Sequence, residues 1–182
     1  GVRHYVLSEM PYASDGSITY ESLIGRYNAD LANNLGNLVK RTVDMTGKYF
    51  GGVIQVPSAA EPIDDELRAA VSDAVSRSRE QMDSYHVADA SETVFGLFRR
   101  ANKYIDETTP WVLAKDESRR ERLGTVLYNL LETIRIGAVL LEPFMPDTSK
   151  RILAQLATDE QTVEFGALKA GDTLAPSEVL FA

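Results

Sequence analysis

An all-α bundle of about five main helices is the fold this 182-residue sequence predicts, and three observations predict it. Apolar residues return every three or four positions through one stretch after another, which is the spacing of a buried helix face. Helix start and stop signals stand between those stretches: Gly51-Gly52, Thr109-Pro110, Ser118 to Glu121, and Pro143 with Pro146. The length suits one domain, or one with an appendage, and a chain of this size can bury roughly 70% of its unfolded surface.

Residues 1–10 read as the last turns of a helix with Val2, Tyr5 and Val6 on one side. No capping residue precedes them, so the chain is expected to begin inside an element of a larger protein. Pro11 and Ser14-Asp15-Gly16 make a loop, and Ser17 to Ser22 leads into a long helix. That helix, Arg26 to Gly51, carries three stripes at 100° per residue. One is bulky (Ile24, Tyr27, Leu31, Leu35, Leu38, Met45, Tyr49). A second is small (Gly25, Ala29, Ala32, Gly36, Val43, Gly47), which would admit another helix backbone. The third is polar (Asp30, Asn33, Asn37, Arg41) and is expected to face outward. Gly51-Gly52 stops it, since glycine is the usual residue just past a helix end.

After a loop with two prolines, acidic residues at Asp64, Asp65 and Glu66 suit the first turn of a helix running to about Ser84. Its inward positions are Leu67, Ala70, Val71, Ala74, Val75 and Met82. The next helix spans about Val87 to Glu107. Thr109 as cap with Pro110 at the first helical position opens another, and Ser118 to Glu121 reads as a capping box. That box opens a strongly apolar helix from Leu123 to Leu141, which Pro143 ends. Pro146-Asp147 begins the last one, through Leu156. Residues 158–182 lose helical periodicity and read as an irregular tail. The resulting division is 1–22, the end of a preceding region; 23–157, the bundle; and 158–182, the tail.

Cysteine is absent, which removes disulfides, thiolate zinc sites and cysteine nucleophiles and fits a reducing compartment. No basic stretch followed by an apolar run marks a secretory signal, and no uninterrupted apolar run reaches the ~20 residues of a membrane span. The net charge of −8 argues against broad, nonspecific nucleic-acid binding, while leaving room for a small selective RNA site on a locally basic face.

Catalytic constellations fail one by one. A phosphate loop would need glycine where Thr42 stands and Ser or Thr where Tyr49 stands. A di-iron bundle would need Glu-x-x-His on two helices, and His4 and His86 are the only histidines. His86 reads as a helix-boundary residue. No Gly-x-Ser-x-Gly elbow is present, and Asp64, Asp65 and Glu66 are explained by a charged first turn. No catalytic centre and no metal site is expected.

Recognition chemistry remains. Trp111, the only tryptophan, sits at a helix start. It is either a core plug or an aromatic face on which an unstacked base could lie. Asn37 and Arg41 lie one turn apart. They are either a solvated face, with Arg41 paired to Asp44 or Asp30, or a reader of a base edge, since an amide both donates and accepts and a guanidinium is a planar fork of donors. Arg99, Arg100 and Lys103 suit a solvated face that could touch phosphate.

RYNADLANNLGNLVKR, ANKYIDETTPWVLAK and ETIRIGAVLLEPFMPDTSKRI resemble, in order and at the expected separations, the anticodon-binding helical bundle of the methionyl-tRNA synthetases, which are class I enzymes. RHYVLSEMPYASDGSITYESL resembles the stretch before that bundle. The resemblance implies that Asn37, Arg41 and Trp111 recognise the CAU anticodon, especially its first base. The partners it implies are initiator and elongator methionine tRNA and the catalytic domain of a parent chain. That parent would use ATP and methionine in the cytoplasm, with no cofactor in this chain and no membrane. The family's His-Ile-Gly-His and Lys-Met-Ser-Lys-Ser signatures are absent here, so the chain alone is expected to be catalytically inactive. Two alternatives stay open at this point: the bundle of an isoleucyl, valyl, leucyl or cysteinyl sibling, and a helical protein-interaction module.

Overall fold

Helices account for the architecture of this computed structural model, which describes residues 1–9 and 19–181. The expected loop at Pro11 to Gly16 lies outside the described residues. Helix α1 is Val2–Glu9. A continuous helical rod follows, made of α2 (Tyr20–Arg26), a π-helical stretch (Tyr27–Gly36) and α3 (Asn37–Phe50). Then come α4 (Pro62–Asp83), α5 (Val87–Thr108), the single turn α6 (Pro110–Leu113), a 3₁₀ turn (Glu117–Arg119), α7 (Arg120–Leu141) and α8 (Pro146–Gln155). No strand occurs among the described residues; Val53 and Thr173 form one isolated antiparallel bridge.

The apolar positions behave as their spacing predicts. Leu31, Leu35, Leu38, Leu67, Val94, Phe98, Ile105, Val126, Leu130 and Ile134 are all fully buried in one core. Helix α7 is its axis, packed against α3, α4, α5, α6 and α8. With the turn before it, Glu117–Leu141 is long and apolar enough to cross a membrane by composition, yet its apolar window is 89% buried inside the protein, as a central core helix requires. Helix α5 comes so close that a Cβ on Gly137 would lie 2.3 Å from the Phe98 ring, so α7 needs glycine there.

Several local expectations are corrected. The long helix stops at Gly51, with φ 61, as read, but its middle is not α-helical. The i→i+5 spacing of the π stretch widens each turn, so a count at 100° per residue drifts out of phase. Asp30 consequently points inward at 6% exposure instead of outward. The small stripe receives no neighbouring helix at Gly25 or Gly47, where nothing lies within 4 Å of a built Cβ. The Ser118 capping box does not form. Asp116 caps instead, accepting from the Ser118 amide at 3.0 Å. Thr109 adopts left-handed φ 44 and its side chain caps nothing, although Pro110 is at the first helical position as expected.

Helix α1 packs against α5 and α2. Tyr5 is buried and its hydroxyl meets Ser22 Oγ at 2.7 Å, while Val2 stays exposed. The irregular tail is held too. Glu132 and Arg135, both fully buried on α7, pair at 2.9 Å. Glu132 accepts from the amides of Gly166 and Leu168, and Arg135 donates to the carbonyls of Thr162 and Glu164. Without regular structure, the tail satisfies its backbone partly on these side chains and partly on the backbone of Gly52, Ile54 and Gln155.

Candidate nucleic-acid interface

Asn37 is the first residue of α3, where the chain leaves the π stretch, and Arg41 stands one turn on. Trp111 arrives from the other side of the sequence. Helix α5 ends at Thr108 and is capped by Thr109, whose left-handed backbone turns the chain sharply, and Pro110 starts the next turn with Trp111 facing the long helix. The Arg41 guanidinium carbon lies 5.8 Å from the Trp111 ring centroid, and Trp111 remains 39% exposed. A core plug is therefore excluded. Arg41 pairs with neither Asp44 nor Asp30. Its acidic neighbour is Asp106 on α5, at 3.9 Å, while Lys40 takes Asp44.

Asn33, Asn37 and Arg41 from the rod line one shallow depression with Arg99, Asn102 and Lys103 from α5. Amides that both donate and accept thus lie among three cations on a protein of net charge −8. Arg99 is shared with Glu92 and stands 4.0 Å from Asp30, and Lys103 lies 3.6 Å from Glu107. Arg100 is held between Glu66 and Glu107 and does not line the depression. The contacts of Arg41 are weak ones. An exposed cation–π pair contributes about 0.5–1 kcal/mol, and a half-exposed ion pair at that separation about 0–1 kcal/mol. A base stacked on an aromatic ring contributes about 1–3 kcal/mol, enough to displace either.

The polar groups behind the depression were not legible from the sequence. Asp30 accepts from His4 at 3.1 Å and Arg26 at 3.2 Å, and the His4 ring lies 4.4 Å from that of Phe95. The His4 hydrogen bond, followed by burial acting the other way and the charges of His4 and Arg26, leaves the Asp30 carboxyl below its ordinary range. Asn34, also buried, donates to the Phe95 carbonyl at 3.2 Å. These partners are 26 and 61 residues away, beyond any local pattern. His86 is an exposed helix-boundary residue, as read. Among the described residues no group of three or more His, Cys, Asp or Glu could hold a metal ion.

Residues 56–182 match the family described as the anticodon binding domain of methionyl tRNA ligase, and residues 1–43 match class I tRNA synthetases of the methionine type. Asn37 and Arg41 fall in the second match and Trp111 in the first, so the three-residue cluster bridges them. The methionine–tRNA ligase of Clostridium perfringens is 50% identical over 184 residues, covering 99% of this chain, and that of Halalkalibacterium halodurans is 42% identical over 189 residues. The chain spans 28% of the length of each. The Mycobacterium tuberculosis methionyl-tRNA synthetase solved with methionyl-adenylate superposes with a TM-score of 0.92 at 34% identity, over 99% of this chain and 36% of that one. The sibling-synthetase and protein-interaction alternatives give way to these matches: the chain belongs to the anticodon-binding domain family of methionyl-tRNA ligase.

Proposed function

We propose that the chain reads the CAU anticodon of methionine tRNAs, initiator and elongator alike, with Asn37 and Arg41 at a base edge and Trp111 stacked on a base. The observation that carries this reading is the half-open ring of Trp111 against Arg41, beside a depression rich in amides and cations. A bound base would replace the Arg41–Trp111 contact with stacking on the freed ring face, leaving the guanidinium fork to donate to the base edge. In this reading the chain is the tRNA-binding part of a cytoplasmic methionine–tRNA ligase. ATP and methionine are used by that enzyme's catalytic part, this chain holds no cofactor or metal, and no membrane takes part.

The test is titration with anticodon stem-loops bearing CAU, GAU or a scrambled loop. CAU should bind tightest, and equal affinity for all three would defeat the reading. The isolated chain should also show no methionine-dependent pyrophosphate exchange with ATP, because neither catalytic signature is present. Exchange by the pure chain would refute that part.

A further inference from the structure

Asn37 sits at a junction whose geometry the long helix does not settle by itself. Its backbone N–H reaches two carbonyls, those of Ala32 and Asn34, the first five residues back and the second three. The ladder therefore changes from π to α at the residue placed at the base edge. A π stretch of ten residues is unusual, since most are single turns inside α-helices. Something outside the helix has to hold it.

What holds the junction comes from α5. Asn102 Nδ2 donates to the Asn34 carbonyl at 3.1 Å, to Asn34 Oδ1 at 3.0 Å and to the Phe98 carbonyl at 3.2 Å. Asn34 in turn donates its own amide to the Phe95 carbonyl. One of the two carbonyls that receive the Asn37 N–H, that of Asn34, is thus the one that Asn102 grips. Asn102 Oδ1 is buried and takes no hydrogen bond from the described residues, so the orientation of this amide is set by its donor side alone. Both Asn34 and Asn102 line the depression that contains Asn37 and Arg41.

We infer that Asn102 is a positioning residue: by pinning the Asn34 carbonyl it fixes the π-to-α junction and with it the direction in which Asn37 and Arg41 leave the helix. Its effect on RNA rests on the anticodon reading above; its effect on the junction does not. The partner that benefits is a base with a donor and an acceptor side by side on its edge, because an amide meets both at once in only one orientation.

Two measurements on the whole chain test this. In the first, Asn102→Ala and the isosteric Asn102→Asp, which removes the donor but keeps the shape, are compared with the parent by backbone NMR shifts and amide exchange. Residues 32–38 should shift and exchange faster while α7 stays as protected as before. Unchanged shifts and protection at 32–38 in both variants overturn the inference, whether or not the RNA reading stands. In the second, stem-loops with CAU and scrambled loops are titrated against Asn102→Ala, Asn37→Ala and the double variant. Asn102→Ala should reduce the CAU-over-scrambled affinity ratio about tenfold, the scale of one base-edge contact. It should cost less once Asn37 is already alanine, the remainder acting through Arg41. Full additivity of the two losses overturns the inference. A parent chain that does not discriminate defeats the anticodon reading instead, and the NMR comparison then decides the junction by itself.

Discussion

Two places in this molecule use the same side chains, arginine beside carboxylate and amide, to opposite ends. On α7, Arg122 donates to both oxygens of Asp64, at 2.6 and 2.9 Å, and Asp64 also accepts from the Tyr104 hydroxyl at 2.6 Å and the Glu61 amide at 3.0 Å. Asp64 is fully buried and its acceptor sites are filled. On α3, Arg41 has one carboxylate at 3.9 Å and one half-open ring. The first arginine belongs to a buried network centred on Asp64, whose two oxygens are both fully engaged. The second is held only loosely, and its hydrogen-bonding capacity is largely unspent. Saturation, not residue type, separates the structural cluster from the candidate site.

The comparison breaks most visibly at the buried network. Asp64→Ala should leave Arg122 buried with only the half-exposed Glu61 carboxylate, 3.4 Å from its Nε, as an ionic partner, and cost about 3–5 kcal/mol, read as a drop in denaturant midpoint with an unchanged slope. A loss below about 1 kcal/mol would show that the network is not centred on Asp64. Next in size, Trp111→Ala should remove about 1–3 kcal/mol of CAU stem-loop binding, and Arg41→Ala or Asn37→Ala a similar base-edge contribution. Asn37→Ala, at an exposed position, should change stability by only about 0.5 kcal/mol. Equal loss for CAU and scrambled loops on Trp111→Ala would mean that the ring does not read sequence.

A pH titration sharpens the contrast at smaller amplitude. Burial pushes the Asp64 carboxyl up, but the hydrogen bonds from Arg122, Tyr104 and the Glu61 amide outweigh it and leave the carboxyl below its ordinary range. A carboxylate whose folded pKa is depressed stabilises the fold fully above its unfolded pKa of about 4 and loses that contribution as pH falls through the lower folded value. Stability should therefore fall steeply below about pH 4, and Asp64→Asn, less stable at neutral pH, should show a shallower acid slope. A variant with the parent's slope would remove Asp64 from the account. The smallest effect belongs to Arg99→Ala at the rim. If Arg99 meets only phosphate, both loops should weaken alike and the slope of log affinity against log salt should fall by about 1. Loss confined to CAU would make Arg99 a base reader.

The fold was legible because helix boundaries and buried faces are local: Gly51, Pro110 and Pro146 each stand where the reading put a stop or start. Asn37 and Arg41 were legible as a pair because four residues make one helical turn. Asp64 was read as a first-turn charge, which it is, but it is also the centre of a buried network. Its partner Arg122 is 58 residues away, and nothing in Asp-Asp-Glu distinguishes the carboxylate that turns inward.

Composition and periodicity by themselves determined an all-helical chain with one apolar core, no thiol chemistry and a small set of candidate groups for reading a base. Only the tertiary structure decided which of those groups meet. A periodicity of 3.6 says which residues share a face, but only while the helix stays α; the π stretch changed phase and turned Asp30 inward. Seventy residues of chain separate Arg41 from Trp111, a distance over which sequence carries no geometry, and the packing of α5 against the rod closes it to a ring contact. The tail lies down for the same reason: two of its backbone partners, Glu132 and Arg135, are buried side chains on a helix it meets only once the core has formed.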